Sequence, residues 1–544
     1  MIKILILTKI SLKNMFGKSC SLLLIGFFVI LIFSCQKNGR LNKPNIIFIM
    51  SDDHAAHAIS SYGGIYDKIA PTPNIDKIGS SGIRFENVFC TNGICGPSRA
   101  SILTGKYSHL NGFYKNEKGG KFDKNQWTFP KEFQENGYQT ALFGKWHLGS
   151  EPVGFDYFKY HDNKGQQGFY YNPIYNENGN RIMEEGYATN LTTDFALNWL
   201  KTEEDNDKPF MMMLQFKAPH RSWEPDEKYR NLFGDQEMPY PKTFNDNYEG
   251  REQTAGDTDM TMDFFNRKDM KLTPPDSLTG KKERNMWLRA GDKRGFGEGW
   301  LPQNGMTQQE ARKWKYQRYI KDYLACIKSV DDNIGRVLGY LEKSGLDENT
   351  VVIYTSDQGF YLGDHGWFDK RFMYEESLKM PFLMRYPGIK KQKNVNRDVI
   401  TNIDFASTLL DIAGIEEKED LQGRSFLSNV LDENSKDWRQ SMYYHYYEFP
   451  FWHHVQPHYG IRNEKFKLIH FYYNIDVWEF YNLQNDPEEM TNLINDPIYN
   501  DVIKEMKLEL KNLQIEYGDD KSLDEFRSIT DANFGHIGGK GTRE

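Results

Sequence analysis

Cysteine is scarce in this chain, with five residues in 544, too few for a disulfide-stapled scaffold. Cys20 falls in a leader segment and Cys35 directly follows it, which leaves Cys90, Cys95 and Cys326, an odd number that cannot all pair within the chain. An excess of positive charge is lacking too. Lys plus Arg is 68 against Asp plus Glu 76, a formal charge of −8, so no global field draws the protein toward nucleic acid or another polyanion. An anionic substrate must be met by positive charge gathered in a pocket. No apolar run reaches the roughly 20 residues of a membrane-spanning helix, and there is no internal repeat or low-complexity tract. Aromatic residues are plentiful, at 15%; most such side chains fill cores, while Tyr and Trp also stack on sugar faces. The length exceeds one ordinary core and predicts a large domain with a smaller one.

The first 34 residues read as a targeting segment rather than as part of the fold. Lys9, Lys13 and Lys18 precede an apolar run over residues 21–34 that ends at Cys35. This layout, with Leu31-Ile-Phe-Ser-Cys35, resembles a bacterial lipoprotein signal, which implies a lipid on Cys35 and a mature chain starting there. The alternative, a single transmembrane anchor, is disfavoured by the short run. The long n-region leaves both Met1 and Met15 open as the start. The expected location is outside the cytoplasm, lipid-anchored to a bacterial (outer) membrane on its periplasmic or cell-surface face.

Three continuous apolar runs read as strands buried on both faces of a largely parallel sheet. Asn45-Ile-Ile-Phe-Ile-Met50 leads to Asp52-Asp53, Phe210-Met-Met-Met-Leu-Gln-Phe216 to Pro219-His220, and Thr350-Val-Val-Ile-Tyr-Thr355 to Asp357-Gln358. Residues 140–143 form a further strand before Gly144-Lys-Trp-His147. Ile320, Leu324, Ile327, Val330, Ile334, Val337 and Leu341 share one helical stripe, and residues 405–412 carry another. Alternating strands and helices predict an α/β sheet with helices on both faces. Its ligands would gather beyond the carboxyl ends of the strands, where every one of these polar clusters falls. Residues 35–436 form the expected large domain. Within it, residues 236–315 are polar and weakly periodic and read as a long surface excursion walling a cleft. Residues 437–544 read as a smaller domain of short antiparallel strands (442–448, 459–462, 465–473) and a helix over 499–517.

Asp52, Asp53, Asp357 and Gln358 offer only oxygen ligands, the set that a hard cation such as Ca²⁺ takes. An Asp-Asp pair after a strand is often a solvated loop, but a second acid–amide pair after another buried strand favours the metal. Cys95-Gly-Pro-Ser-Arg-Ala-Ser-Ile-Leu-Thr-Gly105 carries Pro97 suited to a first helical turn and Gly105 suited to the end. Cys95 therefore sits at a helix N-terminus, which favours anions. A buried thiol, or a disulfide with Cys90, is the structural alternative.

Cys-x-Pro-Ser-Arg-x-x-x-Leu-Thr-Gly is the signature of type I sulfatases in the alkaline-phosphatase superfamily, and the chain resembles that family from about residue 44 to its end. The resemblance implies an alkaline-phosphatase-like α/β fold: a large mixed, mostly parallel sheet plus a smaller C-terminal antiparallel sheet with a helix. It also implies a sulfuric ester hydrolase whose Cys95 is oxidised to formylglycine (3-oxoalanine) by a formylglycine-generating or sulfatase-maturing enzyme. Ca²⁺ would be held by Asp52, Asp53, Asp357, Gln358 and the modified residue 95. The family often has Asn where Gln358 stands, and the longer amide offers the same oxygen. By the same resemblance Arg99 holds the formylglycine hydroxyl, and Lys145 and Lys370 bind the sulfate. His147 is the base that drives sulfate release, and His220 protonates the leaving alcohol. His365, in Gly363-Asp-His-Gly366, is either a substrate contact or a loop hydrogen bonder.

The implied substrate is a sulfated polysaccharide or its oligosaccharides. Export, the lipid anchor and the Asn- and Lys-rich composition resemble Bacteroidetes lipoproteins, and the leaning is toward an algal glycan such as ulvan. Glycosaminoglycans come second. A formylglycine-dependent phosphodiesterase or phosphonate hydrolase is the nearest rival; the two lysines suit a monoanionic sulfate ester better. A non-catalytic glycan-binding lipoprotein is disfavoured by the complete signature.

Overall fold

In the computed structural model the described residues are 41–534, apart from 117–119, 164, 204–207, 290–299, 390–393, 418–419, 432–436 and 451–452. The leader and Cys35 lie outside them. A ten-stranded sheet forms the centre. Its order is Val395–Asn396, Ile83–Phe85, Phe382–Arg385, Thr350–Ser356, Asn45–Ser51, Phe210–Phe216, Gln139–Gly144, Tyr157–His161, Ile174–Glu177 and Asn180–Met183. The five strands from Thr350–Ser356 to Tyr157–His161 run parallel. Phe382–Arg385 is antiparallel to both its neighbours, and the hairpin at the far edge is antiparallel as well.

The buried runs explain the layering. Ile46, Phe48 and Met50 pack into one core, and Ile47 and Ile49 into another. Met211 and Met213 divide from Met212 and Leu214 in the same way. Alternate side chains of one strand point to opposite faces, so strands apolar at every position demand a helical layer on each side. On one face lies the helix Gln308–Ser344, whose stripe from Ile320 to Leu341 is buried. A capping box starts it: the Thr307 hydroxyl accepts from Glu310 N–H, and the Glu310 carboxylate accepts from Thr307 N–H. On the other face lie Cys95–Thr104, Phe129–Glu135 and Asp404–Ala413, burying Ile102, Phe133, Phe405 and Leu409.

The register sets the strand ends level. Ser51 pairs with both Phe216 and Ser356, and Gly144 pairs with Gln215. The segments that begin at Asp52, Lys145, Lys217 and Asp357 therefore leave the sheet along one edge, where a doubly wound sheet gathers its ligands.

A four-stranded antiparallel sheet follows, Ser441–Tyr446, His458–Asn463, Phe466–Phe471 and Val477–Asn482. It is covered by the helix Asn500–Glu516 through Ile503, Met506 and Leu510. The fourth strand and a last helix, Leu523–Phe534, were not legible in the sequence. Within residues 236–315 the expected surface excursion is also anchored in the core. Met238, Met262, Phe265 and Met270 are fully buried in the sheet's second core, and Met260 in the first. Isolated apolar residues at irregular spacing give no periodic signal, yet each fills a hole in the packing.

Candidate active site

Asp52 and Asp53 end the central strand, and Asp357 ends its neighbour. Carboxylate oxygens of the three lie within 4.8 Å of one another, and all three side chains are buried. Cys95 is the first residue of its helix, with Ile94 as the extended N-cap and Gly105 closing the other end at φ +63°. Its Sγ is 3.8 Å from Asp53 Oδ1. Burial pushes the Cys95 thiol well above its ordinary range, so the unmodified side chain is a poor nucleophile at neutral pH. Cys90, Cys95 and Cys326 are all free and buried, and the alternative disulfide between Cys90 and Cys95 is not formed.

Three cations converge on the three acids. Lys370 Nζ lies 2.6 and 2.8 Å from the Asp53 oxygens, Lys145 Nζ bonds Asp52 Oδ2, and Arg99 Nε bonds Asp357 Oδ2 at 3.0 Å. The Arg99 guanidinium is fixed further by the Lys145 carbonyl at 3.0 Å and Gln215 Oε1 at 2.6 Å. Burial works against the Asp52 carboxylate, but Lys145, His220 and Arg99 outweigh it and hold it well below its usual range.

The oxygens also fit a cation. Asp52 Oδ1 and Gln358 Oε1 are buried and accept no hydrogen bond from the described residues. Gln358 instead turns its amide NH₂ to Asp53 Oδ1, at 2.5 Å. A buried carboxylate oxygen and a buried amide oxygen without donors, beside two further acids, form the donor set of a hard divalent ion.

His220 follows the strand Phe210–Phe216. Its Nδ1 donates to the Arg221 carbonyl at 2.7 Å, and its Nε2 lies 3.8 Å from Asp53 Oδ2. His147 has φ +57°, and the Gln167 amide approaches its Nε2 at 3.1 Å. Burial lowers both histidines well below the usual imidazole range; for His220 the Asp52 charge opposes this and Lys145 adds to it. Asp53, His147, Asp369 and Arg371 all hold positive φ without being glycine, a clustering of backbone strain that marks functional sites.

His365 is held elsewhere. Its Nδ1 is 2.9 Å from Asp246 Oδ2, its N–H donates to Thr243, and its ring packs on Trp367 and Tyr374 in full burial. Of the two roles left open for it, this geometry is that of a loop hydrogen bonder.

A cavity of about 240 Å³ opens over Cys95, His220 and Lys370. Its remaining wall takes Asn266, Lys268 and Asp269 from the 236–315 excursion expected to wall a cleft, and His453 from a segment that sequence reasoning missed. Arg221 is tied to Asp269 at 2.8 Å through Nε. His453 Nε2 lies 3.2 Å from Asp369 Oδ2, and Arg371 pairs with the same carboxylate. Asp369 and Arg371 flank Lys370 and carried a local signal. Asp269 belongs to the expected excursion but had no signal of its own, and His453 comes from a segment with none.

The level strand ends, the three acids and the cysteine at a helix N-terminus define an alkaline-phosphatase-like hydrolase. The sulfatase family profile matches residues 44–415, and that of the N-sulphoglucosamine sulphohydrolase C-terminal region matches residues 363–516. The chain belongs to the sulfatase family and is a sulfate-ester hydrolase. It is 45% identical over 519 residues, 92% of this chain and 91% of the relative, to an N-acetylglucosamine-6-O-sulfatase of Bacteroides thetaiotaomicron. An ulvan-active sulfatase of Formosa agariphila is 24% identical, covering 90% and 84%. A solved structure described as a complex with its substrate D-glucosamine-2-N,6-O-disulfate superposes with a TM-score of 0.81. That chain is 43% identical, with 89% of this chain and all of the other covered.

Proposed function

We propose that this protein removes the 6-O-sulfate from glucosamine-type residues of a glycosaminoglycan or its oligosaccharides, using formylglycine made from Cys95 and one Ca²⁺. The observation that carries the sugar is the 45% identity to the N-acetylglucosamine-6-O-sulfatase over 92% of this chain. The leaning toward ulvan gives way, since the ulvan-active relative stands at 24%. No local motif encodes the sugar, because the cavity wall is assembled from segments as distant as Asp269 and His453.

In this reading Asp52, Asp53, Asp357 and Gln358 would hold Ca²⁺, which would supply positive charge for the sulfuryl oxygens and for the attacking hydroxyl. Residue 95, as a formylglycine hydrate, would offer two hydroxyls, one as the nucleophile toward sulfur and one as the route by which sulfate is released. The chain's own groups do the rest. Lys145 and Lys370, paired with Asp52 and Asp53 here, turn to the sulfate as it binds and stabilise the charge that its oxygens carry in the transition state. Arg99, pinned by Asp357 and Gln215, orients residue 95. His220, protonated on both ring nitrogens with Nδ1 held by the Arg221 carbonyl, gives its Nε2 proton to the sugar oxygen as it leaves, and His147 takes one from residue 95 to release sulfate. A maturing enzyme acting on Cys95 and a lipid on Cys35 belong to the same proposal.

The test is sulfate release from N-acetylglucosamine-6-sulfate, glucosamine-2-N,6-O-disulfate and sulfated ulvan oligosaccharides in parallel. The two glucosamine esters should be hydrolysed and ulvan left intact. Turnover of ulvan alone would overturn the assignment.

A further inference from the structure

A second cavity, of about 570 Å³, lies beside the first, within the ~300–1,000 Å³ typical of small-molecule sites. Three segments have residues on both. Gln167 lines the Cys95 cavity and Tyr171 the second; Arg221 and Ser222 line the first and Glu224 and Pro225 the second; Lys268 and Asp269 line the first and Lys271 the second. Each segment therefore runs from one cavity to the other. On one of these crossings stands Phe169, 48% exposed, an aromatic face of the kind that stacks on a sugar ring.

The second cavity is basic in a chain whose net charge is −8. Among its lining residues Lys271 is neutralised by Asp322 at 2.5 Å. Arg230, Arg318 and Lys321 remain against the single acid Glu224. Arg318 and Lys321 are one turn apart on the long helix, so they present charge to the same side. Tyr171 and Tyr229, both half-buried, line the same space, and their hydroxyls are engaged by Pro225 and Asp332. Aromatic walls under a cluster of cations suit an anionic sugar.

We propose that this cavity binds a second sulfated sugar unit of the same glycan chain, away from the unit whose ester is cleaved, with Phe169 supporting the chain between the two. This rests on the reading of the substrate as a sulfated glycan. It adds a non-catalytic site that makes the enzyme prefer oligosaccharides to single sugars. Rim charges of this kind act through affinity and are weakened by salt.

The experiment uses the full chain with Arg230→Ala and Arg318→Ala combined. A heparin-derived octasaccharide is titrated calorimetrically into this variant and into the unaltered protein, both also carrying Cys95→Ala to prevent turnover. Affinity should fall about ten-fold at low salt, with the difference shrinking as salt rises. In protein that retains Cys95, the ratio of kcat/KM for the octasaccharide to that for glucosamine 6-sulfate should fall to a similar degree. Lys124→Ala with Lys504→Ala removes the same charge from exposed positions outside both cavities and should change neither. Unchanged octasaccharide affinity in the arginine variant, or an equal loss in the lysine control, would overturn the proposal. Failure to hydrolyse any glucosamine sulfate would refute the proposed function instead, and the calorimetry still decides the second cavity.

Discussion

Lys370 Nζ sits between the two carboxylate oxygens of Asp53, at 2.6 and 2.8 Å, with both side chains buried. A buried pair broken on one side leaves an uncompensated charge, at a cost of about 3–5 kcal/mol. Lys370→Met should therefore destabilise the calcium-free protein by an amount of that order, and added Ca²⁺ should recover part of it by neutralising Asp53. Because an ion that binds only the folded state raises stability by mass action, chelation should lower the melting temperature of the unaltered protein. Calorimetric melting with and without Ca²⁺ checks both; a melting temperature indifferent to calcium in either protein would argue against a metal at Asp53.

The two histidines should separate by leaving group. An activated aryl sulfate scarcely needs a proton on its departing oxygen, whereas a sugar hydroxyl depends on it. General-acid help is worth about a hundred- to ten-thousand-fold. His220→Ala should lose far more on the sugar sulfate than on the aryl ester. His147→Ala should slow sulfate release equally for both. Rapid-quench kinetics on each variant reads the difference, and equal losses for His220→Ala on both substrates would move the acid to another residue.

Asp519 ties the first strand of the smaller sheet to His109 of the larger domain. Its Oδ2 accepts from Tyr443 at 2.8 Å and His445 Nδ1 at 2.7 Å, with His109 Nδ1 at 3.6 Å. Burial raises its pKa, but His445, His109 and Tyr443 outweigh this and leave it below the ordinary value. A depressed folded pKa gives stability that is present above the unfolded value, about 3.9, and is lost as pH falls. Asp519→Asn should cost about 1–3 kcal/mol at pH 7. Urea denaturation should show that deficit narrowing as pH drops below about 5; a deficit independent of pH would mean that the carboxylate charge contributes nothing.

The anchor is tested at Cys35. A fatty-acid probe should label the expressed protein, and Cys35→Ser should abolish both labelling and partition into detergent. Soluble protein cleaved at another site would count against the lipid.

The sheet and much of the site were legible because their residues speak locally. A strand buried on both faces must be apolar throughout, and chemistry at its end follows it directly in the chain, as with Asp52, His220 and Asp357. Cys95 was legible from one continuous motif. His365 was left open between two roles because a Gly-Asp-His-Gly loop gives no hint that Asp246, over a hundred positions earlier, takes its imidazole. The buried methionines of residues 236–315 and the wall residues Asp269 and His453 were invisible for a related reason. Each is positioned by tertiary packing and carries no period of its own.

The central claim is that Cys95 is converted before the enzyme can work, since its buried thiol is a poor nucleophile. The most direct measurement is the mass of the tryptic peptide containing residue 95 in preparations of graded specific activity. The account predicts that the thiol-bearing CH₂SH is replaced by an aldehyde, that activity rises in proportion to the converted fraction, and that Cys95→Ala is inactive. Full activity in protein whose Cys95 is wholly unmodified would contradict it.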